Sequence, residues 1–211
     1  MKNIVFDFDG TLADSAKGII VTEWELLKEL GLPYRTEGQI MAAIGLPLKE
    51  ALHIGGNIPL DIIDYASKRY HEMFFDIAPG YITLFPKVKQ TLNLLSRRGI
   101  PMAIATSRSR DSLDLLLKSL EIDGLFKLCI TAGDVEHHKP EPEPVIKILE
   151  TLSWKPDQTL VVGDTTFDIL MGSRAGCHTL GVTYGNHSRE TLLTANPTYL
   201  TDAFEAIVNL L

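Results

Sequence analysis

The chain has 211 residues, 20 of them Lys or Arg and 27 Asp or Glu, for a formal net charge of −7; 45% of residues are hydrophobic and 22% charged. These proportions are ordinary for a folded globular chain and exclude a disordered, collagen-like or coiled-coil protein. The acidic balance argues against a nucleic-acid binder, which needs clustered Lys and Arg, but not against a small phosphorylated ligand, for which only local charge counts. Domains commonly run to roughly 100–150 residues, so the length fits one large domain or one domain carrying an insertion. Cys129 and Cys177 are the only cysteines, which points to a reduced, cytoplasmic setting rather than a disulfide scaffold. No apolar run is long enough to span a bilayer. Asp7 and Asp9 fall where a signal peptide would carry its apolar stretch, so neither a leader nor a membrane partner is expected.

In chain order, residues 3–8 are apolar and β-rich and run into Asp9-Gly10-Thr11, the pattern of a buried strand ending in a loop. Helical spacing follows from about residue 15, with Ile20, Trp24 and Leu27 on one face and Gly31 as a stop. Further helices are predicted over 37–44, from Pro47, and from Pro59 to about Asp76; no strand is predicted between 15 and 79. From Pro86 onward helices and strands alternate. A helix closed by Gly99 precedes a strand over 101–106, a helix over 110–120 and a strand over 126–131. A helix over 142–152, a strand over 159–163, a helix over 167–175 and a strand over 178–183 come next. A short helix over 189–193 and a strand–helix pair over 199–211 end the chain. The alternation predicts an α/β fold with a Rossmann-like, mostly parallel sheet and helices on both faces. Residues 1–14 and 80–211 form this core, and 15–79 an all-helical insertion after the first strand.

In open α/β sheets ligands bind at the carboxyl ends of the strands. Asp7, Asp9, Gly10 and Thr11 follow the first strand; Thr106, Ser107 and Arg108 follow the second; Lys139 lies in the loop after the third; Asp164, Thr165 and Asp168 follow the fourth. Carboxylates, hydroxyls and one lysine on a single sheet edge suit hard-cation-assisted phosphoryl transfer. Each group has a plainer reading. Asp and Gly form turns, Thr and Ser cap helices, a lysine is usually solvated, and Asp164 and Asp168 suit a helix N-terminus. All of these would have to hold at once, and Asp7 lies inside an apolar run, where an unpaired carboxylate is costly.

These residues also carry a family resemblance. Asp7-Phe8-Asp9-Gly10-Thr11-Leu12 resembles the first motif of the haloacid-dehalogenase-like superfamily. Ile104-Ala105-Thr106-Ser107 resembles its second, Lys139-Pro140 its third and Gly163-Asp164-Thr165-Thr166-Phe167-Asp168 its fourth. The inserted helices are similar to the family's cap. The resemblance implies that Asp7 is a nucleophile forming an aspartyl-phosphate and that Asp9 is the acid and base. It implies Mg²⁺ held by the Asp7 carboxylate, the Asp9 backbone carbonyl and Asp164, with Asp168 supporting that shell. Thr106 and the backbone N–H groups of Ser107 and Gly10 would hold phosphate oxygens, and Lys139 would neutralise the closed site.

A second acid at Asp9 marks phosphate chemistry, since a halide leaving group needs no proton. Gly45, in the break at 44–48, resembles the family's specificity loop, and Arg108 is placed to meet a substrate carboxylate or second phosphate. Residues 184–190 resemble the phosphoglycolate phosphatase branch most closely. The implied protein is a Mg²⁺-dependent phosphatase of a small phosphorylated metabolite. A sugar phosphomutase of the β-phosphoglucomutase type, an inorganic pyrophosphatase and a non-catalytic phospho-ligand binder are the alternatives. Monomer and homodimer are both compatible. His137 and His138 have no partners at metal-ligand spacing and read as loop residues, and both cysteines read as core.

Overall fold

A computed structural model describes the whole chain, Met1–Leu211. Strand β1 (Asn3–Phe6) leads through the Asp7–Thr11 turn into β2 (Ala13–Asp14). Four helices follow: α1 (Ala16–Glu29), α2 (Glu37–Met41), α3 (Leu48–Ile54) and α4 (Ile63–Ile77). Strand β3 (Thr83–Leu84) returns the chain to the core. The alternating half then runs α5 (Val88–Arg97), β4 (Met102–Ala105), α6 (Arg110–Ser119), β5 (Leu128–Ile130), α7 (Glu143–Leu152) and β6 (Thr159–Gly163). It closes with α8 (Thr166–Arg174), β7 (His178–Val182), α9 (Arg189–Leu193) and β8 (Tyr199–Thr201).

Six strands pair in parallel in the order β5-β4-β1-β6-β7-β8. This is the α/β class expected. β1 lies at the centre, so its carboxyl end opens between β4 and β6, where the strand order reverses and a doubly wound sheet offers its crevice. All four β1 residues are buried, because alternate side chains feed opposite layers. Ile4 and Phe6 join the cluster that holds α5, α6 and the C-terminal turn; Val5 joins the one that holds α7 and α8. The first cluster continues into the inserted helices through Leu26, Leu27, Leu52, Ala66 and Phe74. The insertion therefore shares one apolar body with the core.

Several boundaries differ from expectation for local reasons. The helix predicted over 37–44 stops at Met41; Gly45, at φ +101°, turns the chain there in a conformation that suits glycine. The C-terminal segment Phe204–Leu210 is a 3₁₀ turn rather than an α-helix, and no side chain caps it. The antiparallel pairing of β2 with β3 leaves no periodic signal in two residues, yet it ties both connections of the insertion together. Ser15 sits at the N-cap of α1 but makes no cap bond; its hydroxyl goes to Asp9 instead.

Phe6 anchors the sheet, fully buried with its ring centroid 5.6 Å from that of Phe204 and 6.5 Å from that of Phe126. Phe6→Ala should lower the unfolding free energy by about 3–5 kcal/mol, read by urea denaturation; a loss well below 1 kcal/mol would show that the sheet does not depend on this packing.

Candidate active site

The four strand-end groups meet in space. Lys139, buried in the loop after β5, donates from Nζ to Asp7 Oδ1 at 2.5 Å and to Asp168 Oδ1 at 2.7 Å. Asp168 Oδ2 accepts from the N–H and hydroxyl of Thr165 at 3.0 and 2.7 Å, closing a capping box at the start of α8. One carboxylate thus caps a helix with one oxygen and binds the lysine with the other. Asp164 is held from both sides. Thr11 Oγ1 donates to its Oδ1 at 2.9 Å, and the backbone and side-chain nitrogens of Asn186 donate to its Oδ2 at 2.7 and 2.9 Å. Gly10 and Gly185 permit this approach: a Cβ on Gly10 would lie 2.1 Å from Asp164 Oδ2, and one on Gly185 2.3 Å from Asp164 Cβ.

Oxygens of Asp7, Asp164 and Asp168 lie within 4.8 Å of one another, and all three residues are buried. Burial lifts Asp7 well above the usual carboxylate range; Lys139 opposes the shift, while Asp168 and Asp164 add to it. Burial and the neighbouring Asp168 push Asp164 up to about 7, against its hydrogen bonds from Asn186 and Thr11. Burial works against the charge of Lys139, but Asp168 and Asp7 outweigh it and hold the ammonium above its ordinary value. An all-oxygen set of crowded, buried carboxylates fits a hard divalent cation such as Mg²⁺, which would relieve their mutual repulsion.

Asp9 points elsewhere. Its oxygens take a two-point fork from Arg108 at 2.7 and 2.5 Å and the Ser15 hydroxyl at 2.5 Å. Arg108 also donates to Ser112 Oγ at 2.9 Å, and its guanidinium lies 4.7 Å from the centroid of the Phe74 ring. Arg108, expected to meet a substrate carboxylate or second phosphate, lines the cavity and in this structure forks onto Asp9. The Gly10 N–H, expected to hold phosphate, donates to the Ala13 carbonyl at 2.9 Å, so the contribution visible for Gly10 is space for Asp164. Thr106 Oγ1 accepts from the Arg108 N–H at 3.2 Å.

A cavity of about 180 Å³ lies between this edge and the inserted helices, lined by Asp7, Asp9, Thr106, Ser107 and Arg108 from the core and by Gly45 from the insertion. Two bonds join the core to the insertion beside it: Ser107 Oγ to the Gly45 carbonyl at 2.6 Å, and His71 Nε2 with Asp111 Oδ2 at 2.7 Å. Sequence reasoning missed Ser15, Glu23 and Asn186. The resemblance at 184–190 flagged the segment of Asn186 without its role, while Ser15 and Glu23 sit in helical sequence that gives no such signal. His137 pairs with Glu143 on the surface. Burial raises Cys129 to about 11 and Cys177 to about 12, which leaves both as unreactive thiols.

A Rossmann-like sheet with buried acids and a lysine at its central strand ends, topped by helices inserted after the first strand, defines the haloacid-dehalogenase-like class. The haloacid dehalogenase-like hydrolase family matches residues 4–182, and the chain belongs to it. It is 35% identical to the probable phosphatase IndB of Dickeya dadantii, over 97% of this chain and 91% of that one. It is 32% identical to pyrophosphatase PpaX of Anoxybacillus flavithermus, over 100% and 97%, and 31% identical to phosphoglycolate phosphatase of Pectobacterium atrosepticum, over 100% and 92%. Among solved structures, a haloacid dehalogenase-like family hydrolase from Streptococcus pneumoniae superposes with a TM-score of 0.89 at 27% identity, covering 100% of this chain and 98% of that one. No helix is long and apolar enough to cross a membrane.

Glu23 on α1 is the outlier in this neighbourhood: only 3% exposed, with Oε1 lacking any hydrogen-bond partner. Burial pushes it up to about 8, against the pull of Arg35. The unfolded chain ionises Glu23 near 4.5 while the fold keeps the proton until about 8, so stability drains away as pH rises through that window and levels off above it. Glu23→Leu escapes the loss. It should exceed the wild type by about 2–4 kcal/mol near pH 8 and by much less near pH 5. Denaturation at the two pH values checks this, and a gap that does not grow with pH would contradict it.

Proposed function

We propose that the protein is a Mg²⁺-dependent phosphatase that hydrolyses a small phosphorylated metabolite through an aspartyl-phosphate on Asp7. The observation that carries this reading is the Lys139 bridge between Asp7 and Asp168, with Asp164 in the same buried oxygen cluster. The Asp7 and Asp164 carboxylates and the Asp9 backbone carbonyl, with Asp168 beside them, would hold Mg²⁺, which when bound supplies the positive charge that lets a carboxylate meet a phosphate dianion. Asp7 attacks phosphorus with the oxygen not held by Lys139, and the ester oxygen leaves. Thr106 and Ser107 steady the phosphate oxygens at the end of β4.

Asp9 protonates the leaving oxygen and afterwards takes a proton from the water that hydrolyses the acyl-phosphate. To do so its carboxylate leaves the Arg108 fork and turns toward Asp7. The helices at 15–79 act as a cap that shuts water out of the cavity, with β2 and β3 as the stem about which it opens and the Ser107–Gly45 and His71–Asp111 bonds as its latches. Relatives named phosphoglycolate phosphatase and pyrophosphatase support a small substrate, with phosphoglycolate and pyrophosphate the first two to try.

With p-nitrophenyl phosphate as a generic ester, Asp7→Asn should lower kcat by about four orders of magnitude or more. Asp9→Asn should lower it by about 10²–10⁴-fold. Excess EDTA should abolish turnover and Mg²⁺ restore it. Full activity in Asp7→Asn, or turnover that ignores EDTA, would overturn the assignment.

A further inference from the structure

The cap wall of the cavity is apolar for the most part, with Ile40, Ile44, Leu48 and Phe74 facing the space above Asp7. Glu23 breaks that wall. It lines the cavity, it is almost wholly buried, and its Oε1 has no hydrogen-bond partner anywhere in the fold. Nothing structural accounts for it. Arg35, the cation that acts on it, donates to the Gly55 carbonyl instead. Gly56 backs the oxygen so closely that a Cβ there would lie 2.9 Å away, so the backbone accommodates the carboxyl without satisfying it. Buried polar atoms left without a partner are costly and rare, and one that lines a ligand cavity is satisfied when the ligand brings the partner.

We infer that Glu23 selects the substrate: it hydrogen-bonds a distal hydroxyl on the alcohol released from phosphate, so that the preferred substrates are phosphate monoesters of otherwise apolar alcohols carrying a second hydroxyl. The inference rests on the phosphatase reading above and narrows it. The apolar cap wall takes the carbon chain, and Glu23 takes its polar end. Because burial keeps the carboxyl largely protonated near neutral pH, it offers a hydroxyl both a donor and an acceptor. An anionic tail is served poorly. Arg108 is the only Lys or Arg among the lining residues, and its bonds run to Asp9 and Ser112 rather than toward Glu23, so a carboxylate or second phosphate beside Glu23 would meet an acid.

The experiment measures kcat/KM on ω-hydroxyalkyl phosphates of graded chain length, each against the n-alkyl phosphate of equal carbon number. Phosphoglycolate, pyrophosphate and p-nitrophenyl phosphate complete the panel. At the best chain length the hydroxyl should be worth roughly tenfold or more, carried mainly by KM. That preference should collapse toward unity in Glu23→Leu and largely persist in Glu23→Gln, whose amide also donates and accepts; melting curves confirm that both variants are folded. Equal turnover of the paired esters by the wild type, survival of the preference in Glu23→Leu, or phosphoglycolate or pyrophosphate exceeding every hydroxyalkyl ester would each overturn the inference. Failure on every ester, p-nitrophenyl phosphate included, would overturn the phosphatase reading as well, whereas turnover of p-nitrophenyl phosphate without a hydroxyl preference would overturn the inference alone.

Discussion

Three carboxylates are buried at the carboxyl ends of β1 and β6, and a single ammonium holds two of them. Like charges at this spacing in a dry site repel strongly, so the surroundings are organised around that cost. Lys139 bridges Asp7 and Asp168, Thr165 ties down the second Asp168 oxygen, and Thr11 and Asn186 saturate Asp164. Gly10 and Gly185 keep Cβ atoms out of the space the carboxylate needs. Even so, burial leaves Asp7 and Asp164 well above the ordinary carboxylate range. Three carboxylates against one ammonium leave the cluster short of positive charge, as a cation-assisted site would be.

The core and its acids were legible in the sequence because both rest on short-range rules. An apolar run ending in Asp-x-Asp-Gly, and strands punctuated by helices, fix where side chains emerge from a parallel sheet. At Asp168 the helix-cap reading does not exclude a place in the acid cluster, since one oxygen closes the cap and the other meets Lys139. Contacts between distant segments were not legible. No spacing rule shows that Ser15 gives up its cap for Asp9, that Arg108 closes on Asp9 from across the site, or that Asn186 reaches Asp164. Two-residue strands such as β2 and β3 carry no period, so the paired stem of the insertion leaves no mark in the sequence.

The two halves of the cavity hold their polar groups in different states. On the core side every acid is engaged, and the proposed mechanism would have Asp9 exchange Arg108 for the leaving oxygen. On the cap side Glu23 waits without a partner in an apolar wall. On the proposed reading such a division would let one phosphate-handling edge serve several alcohols, the choice among them resting with inserted helices that share the core's apolar body.

Because the whole arrangement depends on the Lys139 bridge, the most direct test is denaturant unfolding of Lys139→Met in EDTA and then in Mg²⁺. Removing one partner of a buried ion pair leaves its charge uncompensated, and the expected loss in EDTA is about 3–5 kcal/mol, part of which Mg²⁺ should restore by binding the acids of the folded state. A variant as stable as the wild type in EDTA, or one indifferent to Mg²⁺, would contradict the account.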